Sequence, residues 1–548
     1  FRHLRAVYLM AKTSNPLVEH NAIAVPGLSL WQQVTTLPGR WPSTQFKSHQ
    51  AELALLSRIP FFRPTEPLDA YLTPSESADV KRTRSSRWFG ALWKTDSRSS
   101  LSLTNAAAST SQRSLTTPAT SALHAKDNDN SQDKSVLVGR VGSVNIGQDH
   151  FIRTLVIDQE TRFTQPLSTS DTAPLVCTHG FGTGLGIFYR NYEALAQTSG
   201  RRIYSIDWLG MGLSARPSKL PWLQRTWRTE FGPEFDQDQL SQTESFFVES
   251  LEQWRQTMGI SKMVLLGHSF GGYMSALYAL RYPQHVDKLI LVSPMGLLGA
   301  PSGFFPWLEN VNNGTINAPP KGMFENRPTP LLWQPGQHRS QWVQPTTIPP
   351  PLAEMLEPDS NASDDSGAQT VPDAPPSPTA ALSTSSRADD KPAVTPLRDR
   401  QMVVRVFLQT WKWQMSPQWL VRFAGPMGPW LVHKYTERYT FLDKEDQVRL
   451  TDYLYHLSSR PGSGEYALTV LTHPFVFAKR PLVDRLHALN VPTLFVYGEI
   501  DWMDYRGAER VAKSMQAPSR IIHIADAGHN MMLENPKDFN AALLEELE

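Results

Sequence analysis

A serine framed by glycines, Gly267-His268-Ser269-Phe270-Gly271, stands where the apolar run from Met263 to Leu266 gives way to a helical pattern beginning Gly272-Tyr273-Met274. A serine displayed on a sharp strand-to-helix turn is a nucleophile elbow. The backbone there is strained, and Gly267 and Gly271 remove the Cβ atoms that would collide. Acyl transfer by serine also needs a base for the hydroxyl proton, an acid to orient that base, and donors for the oxyanion. In this chain order the acid and then the histidine follow the serine, each on a loop at the carboxyl end of a strand. The run Thr493 to Tyr497 ends in Gly498-Glu499-Ile500-Asp501, and the run Arg520 to Ile524 is followed by Asp526-Ala527-Gly528-His529. These positions assign Ser269 as nucleophile, Asp501 as acid and His529 as base. Glu499 and Asp504 are the competing acids, Asp504 falling at the start of the next helix. The oxyanion donors are expected to be the backbone N–H groups of Phe270 and of Phe181, in the turn His179-Gly180-Phe181-Gly182, with His179 shaping that loop. Gly180, Gly182, Gly184 and Gly186, with Asp207 downstream, also match a dinucleotide fingerprint. That reading leaves Ser269, Asp501 and His529 unexplained. The serine chemistry calls for no cofactor and no metal.

The elements that must hold these residues alternate. Val136 to Ile146 and Ile152 to Ile157 read as opening strands, followed by strands at Ala173 to Thr178, Arg202 to Ile206, Met263 to Leu266 and Val286 to Val292. Helices are expected near Phe188 to Gln197, over Phe246 to Met258 and over Gly271 to Arg281. Alternating strands and helices imply an α/β fold: a mostly parallel sheet covered on both faces. From Met295 to about Asp484 the alternation stops, and the interval holds Pro-rich stretches and a helical, aromatic block from Gln401 to Tyr455. It resumes with Thr493 to Tyr497, a helix near Ala508 to Met515, Arg520 to Ile524 and a final helix from Pro536 to Glu546. The expected organisation is an N-terminal extension (1–95), a disordered linker (96–135), a first core part (136–294), a large, mainly helical cap or lid (295–484, with 359–396 disordered) and a second core part (485–548). The two polar segments lack the apolar residues needed to offset the entropy of ordering.

Lys and Arg total 53 against 52 for Asp and Glu in 548 residues, so the charge balance gives no sign of a nucleic-acid partner. The single cysteine, Cys177, excludes an intramolecular disulfide and a cysteine metal cluster. It fits an intracellular compartment, as a small hydrophobe in an apolar run. No run approaches the ~18 apolar residues of a spanning helix. Arg2, Arg5 and Lys12 precede the first acid, Glu19, which fits mitochondrial targeting.

Several separate motifs together resemble one lipid-active branch of the α/β-hydrolases, the family of fungal mitochondrial cardiolipin-specific deacylases, animal lysophospholipid and N-acylphosphatidylethanolamine lipases, and a lipid-droplet lipase coactivator. They are His179 to Gly186 with Phe188-Tyr189-Arg190-Asn191, Asp207-Trp208-Leu209-Gly210-Met211-Gly212 through Arg216-Pro217, Phe247 to Ser250 with Trp254-Arg255, Gly267 to Tyr273, Ser416-Pro417 with Val421-Arg422, Gly425 to Gly428, and Gly464-Glu465-Tyr466-Ala467. The resemblance implies a lipase or phospholipase acting on a membrane phospholipid or acylglycerol, cardiolipin and N-acylphosphatidylethanolamine among them. It places the protein at the mitochondrial inner membrane, with the lipid droplet as the alternative. The coactivator branch lacks the serine that this chain keeps at Ser269. The family also carries an aspartate at the spacing from its histidine that Glu534 occupies here, a position linked to lysophosphatidate acyl transfer, and this departure disfavours that activity. A lysophosphatidate acyltransferase on the same triad and a non-catalytic lipase regulator are the alternatives. Peripheral membrane contact is expected from Trp88, Phe89, Leu92 and Trp93 beside Lys81, Arg82, Arg84 and Arg87. The segment Gly303 to Trp307 and the cap aromatics Trp411, Trp413, Trp419, Phe423 and Trp430 are further candidates.

Overall fold

A computed structural model describes residues 45–64, 136–163, 172–223, 234–313 and 401–548, with short pieces at 165, 320, 332–336 and 342. The proposed anchor at Trp88, Phe89, Leu92 and Trp93, the linker 96–135, the segment 359–396 and the basic N-terminal run lie outside the described residues. Eight strands form one sheet: β1 (Leu137–Gly147), β2 (His150–Gln159), β3 (Leu175–Thr178), β4 (Ile203–Ile206), β5 (Met263–His268), β6 (Val286–Val292), β7 (Thr493–Gly498) and β8 (Ser519–Ile524). Their order across the sheet is β1-β2-β4-β3-β5-β6-β7-β8. β3 to β8 run parallel, and the hairpin β1–β2 joins antiparallel at the β4 edge. β3, β5 and β7 are buried along their whole length, which is why they read as apolar runs rather than alternating patterns. The loops carrying the predicted chemistry leave the carboxyl ends of β3, β5, β7 and β8, the rim where parallel α/β sheets present their sites.

The helices are α1 (Gln45–Leu56), α2 (Tyr192–Ser199), α3 (Gln237–Thr257), α4 (Phe270–Arg281), α5 (Phe304–Asn313), α6 (Gln401–Lys412), α7 (Pro417–Phe423), α8 (Gly428–Thr436), α9 (Lys444–Ser458), α10 (Ala467–Leu471), α11 (Arg506–Ser514), α12 (Met531–Glu534) and α13 (Pro536–Leu547). All of these elements belong to one unit. α3 starts well ahead of the expected Phe246, because the Asp236 carboxylate accepts the amides of Asp238 and Gln239 and caps the helix at that point.

Residues 45–64, assigned above to an N-terminal extension, are part of the hydrolase core. Leu55 and Leu56 on α1 are fully buried, and Glu52, equally buried, accepts from Arg153 Nε of β2 at 2.9 Å. Past the helix, Gly139 of β1 donates to the Phe61 carbonyl at 3.0 Å and accepts from the Arg63 amide at 2.8 Å, so the segment adds to the free edge of the sheet. Three aromatic candidates for membrane contact also change place. Phe304 and Trp307 form a small core with Leu308, Val311 and Leu408, and Trp411 is buried against the main core. The spacing of these aromatics along their helices faces them inward.

Candidate active site

The β5–α4 turn forces Ser269 to φ 54° and ψ −114°, a conformation that costs about 1–3 kcal/mol in a non-glycine residue. Close packing makes the flanking glycines necessary. A Cβ on Gly267 would lie 2.5 Å from the Gly271 carbonyl oxygen, and one on Gly271 would lie 2.6 Å from the His179 carbonyl oxygen. The Ser269 hydroxyl donates to His529 Nε2 at 3.1 Å, and His529 Nδ1–H donates to Asp501 Oδ1 at 3.2 Å. The structure therefore brings together a serine from β5, an acid from the loop after β7 and a histidine from the loop after β8. The competing acids are engaged elsewhere. Asp504 pairs with Arg506 at 2.7 Å, and Glu499 accepts the Asp526 amide at 3.1 Å.

Asp501 is buried, which pushes its carboxyl upward, yet it lies below the usual carboxylate range because His529, Ser293 and the Met503 amide stabilise the charge. Ser293, at the end of β6, donates its hydroxyl to Asp501 Oδ2. Glu534 supports the histidine from behind. Its carboxylate accepts the amides of Gly528 and Asn530, the two neighbours of His529, the latter at 3.3 Å. Neither contact was legible in the sequence, because each depends on how the loops at the strand ends fold.

The loop after β3 faces the serine. A Cβ on Gly180 would approach Ser269 Cβ to 3.1 Å and His268 Nδ1 to 2.8 Å. The amides of Phe181 and Phe270 make no hydrogen bond among the described residues, so both remain available to a developing oxyanion. His179 shapes this loop: Nδ1–H donates to the Gly180 carbonyl at 2.7 Å and Nε2 accepts the Trp208 amide at 3.2 Å. Burial holds His179 down to about 4. His268 donates Nε2–H to the His529 carbonyl at 2.9 Å, and burial followed by the His529 charge lowers it to about 3. Both rings are thus neutral props, and His529 alone of the three touches the serine hydroxyl.

Asp207 is fully buried and binds backbone, with Oδ1 accepting the Leu185 amide and Oδ2 the Leu213 amide, each at 2.6 Å. It ties the oxyanion loop to the loop after β4, a structural duty that leaves no ribose partner for a dinucleotide. Cys177 is buried on β3, and burial pushes its thiol up to about 12.

With this geometry in view, comparison with known proteins fixes the kinship. A family model of the α/β-hydrolase fold matches residues 173–327. The chain is 31% identical over 395 residues to a 1-acylglycerol-3-phosphate O-acyltransferase of Arabidopsis thaliana, covering 70% of this chain and 69% of that protein. It is 29% identical over 404 residues to a probable 1-acylglycerol-3-phosphate O-acyltransferase of Oryza sativa subsp. japonica (72% of this chain, 70% of that protein). It is 28% identical over 383 residues to a human (lyso)-N-acylphosphatidylethanolamine lipase (69% of this chain, 79% of that protein). The eight-stranded sheet, the serine elbow and these similarities lead to one conclusion: the chain belongs to the lipid-active α/β-hydrolase family that includes the (lyso)-N-acylphosphatidylethanolamine lipases and the 1-acylglycerol-3-phosphate O-acyltransferases.

Proposed function

We propose that this protein is a serine ester hydrolase that deacylates a membrane glycerolipid through an acyl-Ser269 intermediate. The observation that carries the reading is the continuous relay from Asp501 through His529 to a strained Ser269. Ser269 Oγ attacks the ester carbonyl carbon while His529 Nε2 takes its proton, and the oxyanion is received by the amides of Phe181 and Phe270. His529, held by Asp501, gives that proton to the leaving alcohol oxygen as the ester C–O bond breaks. Water then attacks the acyl-serine with His529 as base, the fatty acid leaves, and Ser269 recovers its proton.

Exposed apolar side chains on the two elements flanking the serine support docking on a lipid surface. α7 lies over the oxyanion loop, its Gln418 amide 3.0 Å from where a Cβ on Gly182 would stand, and it exposes Leu420 and Phe423. On the other side Trp502, whose ring lies 4.9 Å from that of His529, and Ile500 project to solvent. Trp413, Met427 and Trp430 add further exposed apolar surface on the cap. Peripheral association through such side chains places the ester beside the nucleophile without a spanning segment. Among the described residues no helix is long and apolar enough to cross a membrane. Residence at the mitochondrial membrane, with cardiolipin as substrate, is part of the proposal and rests on the early basic residues and the resemblance. Imaging the tagged full chain tests it.

Acyl transfer is the second reading, favoured by the acyltransferase activity for which the Arabidopsis relative is named. The same acyl-serine would then be intercepted by a lysophospholipid hydroxyl instead of water. Purified protein given phospholipid is expected to release free fatty acid. Given lysophosphatidate and acyl-CoA, it is expected to form little phosphatidate. Phosphatidate formation outpacing fatty-acid release would reverse the assignment.

A further inference from the structure

Where the cap packs on the loop after β4, two arginines pair with one carboxylate and a third, Arg460, stands beside them. Arg422 pairs with Glu465, and Arg216 Nη1 lies 3.5 Å from the other oxygen of the same group. Arg460, whose side chain forms no ion pair among the described residues, is 8% exposed and its Nη1 is buried without a hydrogen-bond partner. Arg216 is nearly as enclosed. Its Nη1 donates to the Pro461 carbonyl at 2.7 Å and its Nη2 to the Gly212 carbonyl at 3.2 Å, while Nε is buried without a partner. Burial lowers Arg216 to about 10, with Glu465 raising it and Arg460 and Arg422 lowering it further, so the group is cationic at neutral pH. A buried guanidinium with an unused donor is costly unless an anion completes it.

The geometry around these donors is that of a receptor. Arg216 and Arg460 line an open recess of about 290 Å³ together with His150, Phe151 and Pro217. Among the described residues, Asp149, exposed on the rim, is the only carboxylate in that lining. Arg216 also lines a crevice shared with Gly182 and Thr183, in the same loop after β3 whose Gly180 packs against Ser269. Guanidinium forks match the oxygens of a phosphate group, and the apolar Phe151 and Pro217 beside them suit a glycerol backbone.

We infer that Arg216 and Arg460 form a phosphate-recognition site that holds the headgroup phosphate of a glycerophospholipid while its acyl ester reaches Ser269. The inference rests on the proposed hydrolase activity for its catalytic consequence. The binding itself can be tested apart from turnover. In the first arm, glycerol 3-phosphate and inorganic phosphate are titrated into Ser269→Ala protein by calorimetry. Glycerol 3-phosphate should bind, and Arg460→Gln introduced into the same background should weaken it at least tenfold, with Arg460→Lys recovering part of the affinity. In the second arm, the ratio of kcat/KM for lysophosphatidate to that for monoacylglycerol in one detergent should fall at least tenfold in Arg460→Gln. Circular dichroism verifies folding of each variant, and Arg216→Lys, which keeps the charge but loses the fork, serves if Arg460→Gln does not fold. Binding of inorganic phosphate with an unchanged substrate ratio would show a free-anion site and overturn the headgroup role. Absence of binding by either ligand would overturn the site itself. Loss of turnover on both esters in wild-type protein, with glycerol 3-phosphate binding intact, would count against the hydrolase reading and leave the phosphate site standing.

Discussion

Ser293 donates its hydroxyl to Oδ2 of Asp501, on the side of the carboxylate opposite the oxygen that His529 contacts. With the Met503 amide on Oδ1 at 2.9 Å, the acid is held at both oxygens, so its plane and that of the imidazole are set before substrate arrives. Ser293→Ala should lower kcat/KM on a soluble ester about tenfold and destabilise the protein by about 1–3 kcal/mol, because it leaves a buried charged acceptor short of a donor. Initial rates and urea melts check both. Unchanged values would remove Ser293 from the orienting role.

Two neutral histidines beside the nucleophile make the fold acid-sensitive. His268 and His179 are held at about 3 and about 4 by burial, against 6.5 for an ordinary histidine. As pH falls below 6.5 the unfolded chain takes up protons that the folded chain refuses, so stability falls from there toward pH 4. Each histidine contributes up to about 1.4 kcal/mol per pH unit. His268→Gln, which keeps a side-chain N–H for the His529 carbonyl, should give a shallower loss of urea midpoint between pH 6.5 and 4.5. Identical slopes for variant and wild type would contradict the assignment.

Glu534 acts through the backbone on either side of His529. Removing its carboxylate in Glu534→Ala should lower kcat about tenfold with little change in KM, whereas Glu534→Gln, which retains one acceptor oxygen, should recover most of the rate. A steady-state comparison on the same ester decides this. Equal damage from both substitutions would imply that the negative charge itself is needed.

The triad was legible because strand ends mark themselves. An apolar run followed by small and polar residues announced the loops after β5, β7 and β8, and the chain order of Ser269, Asp501 and His529 did the rest. α1 was not legible. It lies far in sequence from β1, across a polar stretch, and nothing in its own pattern announces that Glu52 pairs with Arg153 in the core. The contacts of Ser293, Arg216 and Arg460 were not legible for the same reason: they depend on which loops the sheet brings together. The location of α1 has a measurable consequence. Glu52→Gln leaves Arg153 buried without its counter-charge and should cost about 3–5 kcal/mol. Urea unfolding measures it, and a loss below about 1 kcal/mol would mean that α1 is a detachable extension after all.

Covalent capture of the nucleophile tests the central claim most directly. Wild-type protein treated with a fluorophosphonate and digested should carry one stoichiometric adduct, on the peptide containing Ser269. Ser269→Ala should be folded, unlabelled and reduced in esterase activity by about four to six orders of magnitude. Asp501→Asn should label far more slowly than wild type. Labelling of Ser269→Ala at the wild-type rate, or retention of a tenth of its esterase activity, would contradict the account.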